Sequence, residues 1–266
     1  MFELREFGDV KYYVPTTIEA TGIIRAGFST REGGVSGGCY RSMNLRWHCD
    51  DTHENVLENY RRITNALGID YRGTVLSKQV HEAEVRVVGE KDKGNGITRE
   101  NEYKSADALI TNEKGVALAA TFADCTPVFF ADPVRRVIAI AHSGWRGTVK
   151  RISTRVIEKM ISDYRSEPEN ILCAIGPSIQ LDHFEVGDDV AKEFIDEFGE
   201  DTVKLYGSRY HVSMQTAVKK SLTEAGVPSG NIDDSGICTY CNSDLLFSHR
   251  KTNGKRGNLG AFMQLI

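Results

Sequence analysis

Three residues in this chain are placed to do chemistry together: Cys125, His142 and His81. Each ends an apolar run. VALAATFA leads into Asp124 and Cys125, VIAIA leads into His142, and LSKQVH ends on His81. Side chains at the ends of buried strands sit on a rigid scaffold and can converge. One thiol and two imidazoles form a ligand set suited to Zn²⁺. Three protein ligands leave a fourth position open, which is the catalytic arrangement. The same cysteine and histidine can instead be a nucleophile and its base, with Asp124 or Asp107 orienting the imidazole. A third reading is a buried, inert cysteine beside an unrelated core histidine, since free cysteine is often buried. Two polar interruptions of core-like runs favour a site: Asp124-Cys125-Thr126-Pro127, and His142-Ser143-Gly144-Trp145-Arg146-Gly147. No CxxC or HxxxH pair lies within the set, so spacing alone does not fix the ligands.

Arg31 and Arg146 each follow an apolar run and lie beside glycines. Their planar donor forks match phosphate oxygens. Arg41, Arg250, Lys251 and Arg256 are also candidate anion binders, but solvated surface cations are the expected reading for them. Cys238-Thr239-Tyr240-Cys241 is a CxxC without a second ligand pair and without a βαβ setting, so it reads as having neither a metal nor a redox role.

The elements needed to position these residues can be read from periodicity. A helix starts near Asp51 or Thr52, carries Val56, Leu57, Tyr60, Ile63 and Leu67 at helical spacing, and stops at Gly68. Strands are expected near 108–111, 116–123, 128–131 and 136–141, with Asp132-Pro133 as a turn. A second amphipathic helix runs on from Gly147, with Val149, Ile152, Val156 and Met160 as its core stripe. TVLSKQVH, LLFSH and GAFMQL read as strands. Residues 91–105 are charged and glycine-containing and read as an exposed loop and possible lid. Strands both cluster and alternate with helices, and no GxGxxG opens a helix. A mixed α/β fold in one domain, residues 1–266, follows, with a large mixed sheet assembly flanked by helices.

The chain has 266 residues, 40% hydrophobic and 26% charged, the balance of a soluble globular protein able to bury a core without disulfides. A net charge of −4 with dispersed Lys and Arg argues against nucleic acid as the main partner. No run approaches the roughly 20 apolar residues that span a bilayer, and the N-terminus lacks a secretory pattern. The expected compartment is the cytoplasm, with the six cysteines reduced or ligating metal.

FSTREGGVS, the NL at Asn44, QVH, ADALIT, the Asp124-Cys125 pair, HSGWRG, IGPSI and the terminal CT…FSHR occur in this order. Together they resemble the bacterial YfiH-type family, long labelled multicopper polyphenol oxidase or laccase, over nearly the whole chain. The resemblance implies a zinc-dependent purine nucleoside phosphorylase with adenosine deaminase activity. It implies zinc on His81, Cys125 and His142, and a fold similar to cysteine hydrolases of the cytotoxic-necrotizing-factor type. The implied partners are phosphate and purine nucleosides: adenosine, inosine, guanosine and methylthioadenosine. Asp107 and Asp124 are then candidates for proton transfer, and Ser29, Arg31, Asn44 and Arg146 for holding substrate and phosphate. The chain departs from the usual HAGWRG at Ser143, from the common NLGxHVGDD in NLRWHCDD, and from RRDGxTGR in RKTNGKRG. Multicopper oxidase chemistry is not expected, because seven histidines without an HxH pair do not supply a trinuclear cluster. Two other readings fit the same residues: a cysteine hydrolase or amidase acting through Cys125 and His142, with a cell-wall precursor as a candidate substrate, and a non-catalytic binding protein of the same fold. A monomer and a homodimer are both compatible with the sequence.

Overall fold

A computed structural model describes residues 1–266 and shows a mixed α/β architecture. One six-stranded sheet runs, in spatial order, Phe2–Phe7, Val10–Pro15, Ile24–Ser29, Leu259–Leu265, Ala117–Phe122 and Thr74–Leu76. A second runs Ile232–Asp234, Leu172–Ile175, Thr126–Asp132, Val137–Ser143, Ala108–Thr111 and Val85–Val87. A small third sheet joins Glu185–Val186, Arg209–Val212 and Val203–Tyr206.

The two large sheets face each other, because their strands alternate side chains between two buried faces. Phe129, Leu109 and Ile140 of the second sheet pack with Phe28, Leu118, Phe122 and Ala261 of the first. Their sequence neighbours Val128, Phe130, Ala139 and Ala141 point the other way, onto Ile152, Val156, Ile157 and Met160 of the helix Ile152–Tyr164 and Val218 and Leu222 of the helix Met214–Glu224. The outer face of the first sheet is covered by Val56, Tyr60 and Ile63 of the helix His53–Ala66. Four layers result: helix, sheet, sheet, helices. Both faces of the central strands are dry, so emptying one Phe129-sized position costs about 3–5 kcal/mol.

The helix at 53–66 starts where the sequence indicates, with the Thr52 hydroxyl accepting the Asn55 N–H. Three expectations need correction. The helix after His142 is not continuous from Gly147: it begins as Trp145–Val149 and restarts at Ile152, with Arg151 left-handed between them. Arg151 is fixed there by ion pairs to Glu197 and Glu224. Leu245–Phe247 is not a strand: Leu245 and Leu246 donate to the Asn242 carbonyl in a turn, and Ser248 caps a short helix over His249–Thr252. Residues 91–105 are not an exposed lid. Asp92, Asn95, Ile97 and Tyr103 are buried, and the Tyr103 hydroxyl donates to Asp92 Oδ1 at 2.9 Å.

Candidate metal centre

Register brings three of the chemical residues together. Thr126 pairs with Ser143 and Pro127 with His142, so Cys125, just before the strand, lies beside the end of its antiparallel neighbour. Ala108 pairs with Ala141 on the other side, and the His142 N–H donates to the Asp107 carbonyl at 2.8 Å. Three adjacent strand ends thus carry Cys125, His142 and Asp107. His81 arrives from the first sheet, but not on a strand: that strand stops at Leu76, and His81 lies in a turn with φ +60°.

Ligand atoms of His81, Cys125 and His142 all lie within 4.8 Å of one another. His142 is buried, Cys125 half-buried and His81 exposed, so the cluster opens to solvent on the His81 side. Gly144 leaves the room. A methyl group there would stand 2.8 Å from His81 Nδ1, 3.3 Å from His142 Cε1 and 3.4 Å from Cys125 Sγ. One thiol sulfur and two imidazole nitrogens at this separation could hold a metal ion.

Two carboxylates shape the centre. Asp107 is fully buried and accepts the N–H groups of Val80, His81 and Glu82 at 2.9–3.0 Å. Burial opposes its charge, but His142 and these donors outweigh that and hold it below its ordinary value. Asp107 Oδ1 also sits 3.8 Å from His142 Nδ1, a charge contact too long for a hydrogen bond. Burial likewise opposes a charge on His142, but the Cys125 sulfur and Asp107 raise it to about 9. His81 moves the other way, lowered by burial and by the neighbouring His142.

Asp124, with φ +84°, holds the second turn. Its Oδ1 accepts the Thr239 hydroxyl at 2.6 Å and its Oδ2 the Arg250 N–H at 2.7 Å. A non-glycine residue in the left-handed region costs of order 1–3 kcal/mol and persists only where its surroundings fix it. His81 and Asp124 both meet that condition next to the ligands.

The other sequence candidates are distributed unevenly. Arg146 is exposed, with its guanidinium 4.2 Å over the Trp145 ring, and its charge acts on His81. Arg31 lies over Phe247 and donates to the carbonyls of Arg41 and Ser243, so it braces the glycine-rich loop. Ser29 is buried and accepts the Gly260 N–H at 2.9 Å. Asn44 donates to Asp51 and accepts from the Arg46 and Asn258 N–H groups.

Sequence reasoning did not single out Arg46 and His249, and it favoured a surface reading for Arg256. Arg256 is not a surface cation: it is only partly exposed, its Nε is buried without a partner, and it feels the charges of Arg46, Asp124 and Cys125. Burial and then Arg46 lower its pKa. Its partners are Asn258 Oδ1 and His249 Nδ1, the latter at 3.2 Å. A basic tail turn gives no sequence signal for folding back onto a strand end.

A groove of about 1300 Å³ lies alongside, lined by Arg46, Trp47, Gln79, Thr121 and Asn258 among others, with residues 96–101 as one wall. The three ligand residues do not line it. Gln79, in the same turn as His81, donates to the Thr121 carbonyl at 2.7 Å and closes the groove on that side. Arg46 and Asn258 connect it to Arg256. Trp47 stacks on Tyr60 at 5.6 Å, and its buried Nε1 has no partner.

The family model for multi-copper polyphenol oxidoreductase laccase matches residues 25–266. Purine nucleoside phosphorylase YlmD of Bacillus subtilis (strain 168) is 34% identical over 245 residues, covering 90% of this chain and 87% of the relative. Adenosine deaminase RL5, from an unknown prokaryotic organism, is 33% identical over 230 residues, covering 84% and 87%. The crystal structure of Bacillus licheniformis hypothetical protein YfiH superposes with a TM-score of 0.92 at 31% identity, covering 99% of both chains.

Proposed function

This chain belongs to the multi-copper polyphenol oxidoreductase laccase family, and we propose that it is a zinc-dependent purine nucleoside phosphorylase that also deaminates adenosine. The observation that carries this reading is the convergence of His81, Cys125 and His142 beside a set of guanidinium groups. The relatives' names, one phosphorylase and one deaminase, support it.

A thiolate with two imidazoles suits a borderline ion, and the space left by Gly144 fits one. Zinc held there supplies Lewis acidity at neutral pH. Around it the chain's own residues divide the work. Asp107, with three N–H groups on its oxygens, is a positioning residue: it fixes the His81 turn and faces His142 Nδ1, leaving the other nitrogen for the ion. Asp124 has one hydrogen bond on each oxygen and keeps lone pairs free, so it is the carboxylate assigned to proton transfer.

Phosphate is assigned to Arg46 and Arg256, with Arg146 on the His81 side. Two guanidiniums, with the Arg46 charge lowering the pKa of Arg256 and an unpartnered buried N–H on Arg256, form a donor set that an anion satisfies. The purine nucleoside is assigned to the adjoining groove, where the Trp47 N–H is available to a ring nitrogen. Phosphorolysis then converts nucleoside and phosphate to free base and ribose 1-phosphate; deamination converts adenosine and water to inosine and ammonia. The proposed compartment is the cytoplasm, where the six unpaired cysteines stay reduced.

A second reading, Cys125 as nucleophile with His142 as its base, is favoured by the raised pKa of His142 beside the sulfur. Chelation separates the two. Stripping the metal abolishes turnover in the zinc reading and added zinc restores it; full activity in metal-free protein assigns catalysis to the thiolate.

A further inference from the structure

The CxxC of the tail is not alone. The short helical turn Leu181–His183 brings an imidazole onto it from 55 positions away in sequence. His183 Nδ1 lies 3.7 Å from Cys238 Sγ and 3.6 Å from Cys241 Sγ. The three ligand atoms form a second compact group, all within 4.8 Å of one another. For a tetrahedral ion with bonds of about 2.3 Å to sulfur and 2.0–2.1 Å to nitrogen, neighbouring sulfur and nitrogen ligands stand roughly 3.5 Å apart. The observed separations match that edge.

Cys238 and His183 are fixed by contacts that do not involve the ion. The Cys238 carbonyl accepts the Asn242 N–H and side-chain amide at 3.0 and 2.8 Å. The His183 ring stacks on Tyr240 at 4.3 Å and 19°. The His183 carbonyl accepts a guanidinium N–H of Arg250 at 3.2 Å. Cys238 is buried and Cys241 exposed, so the group opens to solvent on the Cys241 side, where water can complete the shell.

We propose that Cys238, Cys241 and His183 form a second metal site, one that holds a thiophilic divalent ion, zinc first, with water as the fourth ligand. The two thiols lose their protons to solvent on binding, so charge balances without an oxidant. The site differs in task from the first. Thr239, inside the CxxC, donates to Asp124 Oδ1, and Arg250, which braces His183, donates its N–H to Asp124 Oδ2. An ion that fastens the tail to the 181–183 turn therefore fixes the segment holding Asp124, next to Cys125. The role is structural, as in sites built from soft ligands away from substrate.

Cobalt(II) tests this under reducing conditions, because thiolate ligation gives it an intense charge-transfer absorption. The Cys125→Ser variant removes the only sulfur of the first centre. It is expected to retain about one cobalt per chain and the thiolate band, and to lose both when Cys238→Ser and Cys241→Ser are added. His183→Ala in the Cys125→Ser background is expected to weaken retention while leaving far-ultraviolet dichroism unchanged, which keeps the test valid should the triple variant misfold. No thiolate band in Cys125→Ser overturns the proposal. So does an identical band after His183→Ala, or a Cys238–Cys241 disulfide that persists under reduction in place of bound metal.

Discussion

Asp107 holds His81 in a left-handed turn: its Oδ1 accepts the His81 N–H at 2.9 Å, and its two oxygens also accept the N–H groups on either side. A carboxylate buried at the end of one strand thus aims a ligand that belongs to another sheet. Asp107→Asn keeps the size but places an amide N–H against backbone donors. The expected outcome is a loss of stability of about 1–3 kcal/mol and a 10–100-fold weaker metal affinity. Denaturant unfolding and zinc competition with a chromophoric chelator measure the two effects. Unchanged metal affinity would contradict the positioning role.

Gly144→Ala separates space from backbone. The φ and ψ at Gly144, −74° and 165°, suit any residue, so folding should tolerate the change. The added methyl enters the ligand cluster, 2.8 Å from His81 Nδ1. Metal content should fall severalfold while the melting temperature of the metal-free protein stays within a few degrees of the wild type.

Arg256→Ala and Arg46→Ala are expected to raise the KM for phosphate tenfold or more, with zinc content unchanged. A loss of about 1.4 kcal/mol of binding corresponds to each factor of ten. If KM for phosphate stays put while KM for the nucleoside rises, the anion lies elsewhere and Arg146 becomes the leading candidate.

Asp51 gives a prediction in pH. Burial opposes its charge, but the Asn44, Ser36 and Asn55 side chains and the Thr52 N–H outweigh burial and hold its pKa below the ordinary carboxylate value. A depressed carboxylate contributes stability that is complete above its unfolded pKa of about 3.9 and is lost as pH falls through the folded value. Asp51→Asn should therefore narrow the gap in stability to wild type as pH drops from neutrality through that range. A gap independent of pH would mean that Asp51 acts by packing alone.

Much of this was legible in the sequence. The central strands announce themselves as apolar runs because both their faces are dry, and their ends carry Cys125 and His142. The helix at 53–66 follows from its cap and its apolar spacing. Two missed features share one cause: partners far apart in the chain. His183 completes Cys238 and Cys241 only through the fold. Arg256 looks like a solvated residue in a basic turn until the fold half-buries it where the charges of Asp124 and Cys125 reach it. Residues 91–105 look like a polar lid, yet Asn95 and Tyr103 bury their polar atoms in local bonds that composition does not reveal. LLFSH has the composition of a strand, but Asn242 captures its N–H groups in a turn.

The most direct measurement is product analysis of the zinc-characterised protein incubated with adenosine and phosphate, with and without a chelator. The account predicts adenine or hypoxanthine with ribose 1-phosphate, inosine from deamination, dependence on phosphate for base release, and loss of all turnover on chelation with recovery on adding zinc. No turnover of any purine nucleoside by the zinc-loaded protein, or full turnover in its metal-free form, would contradict it.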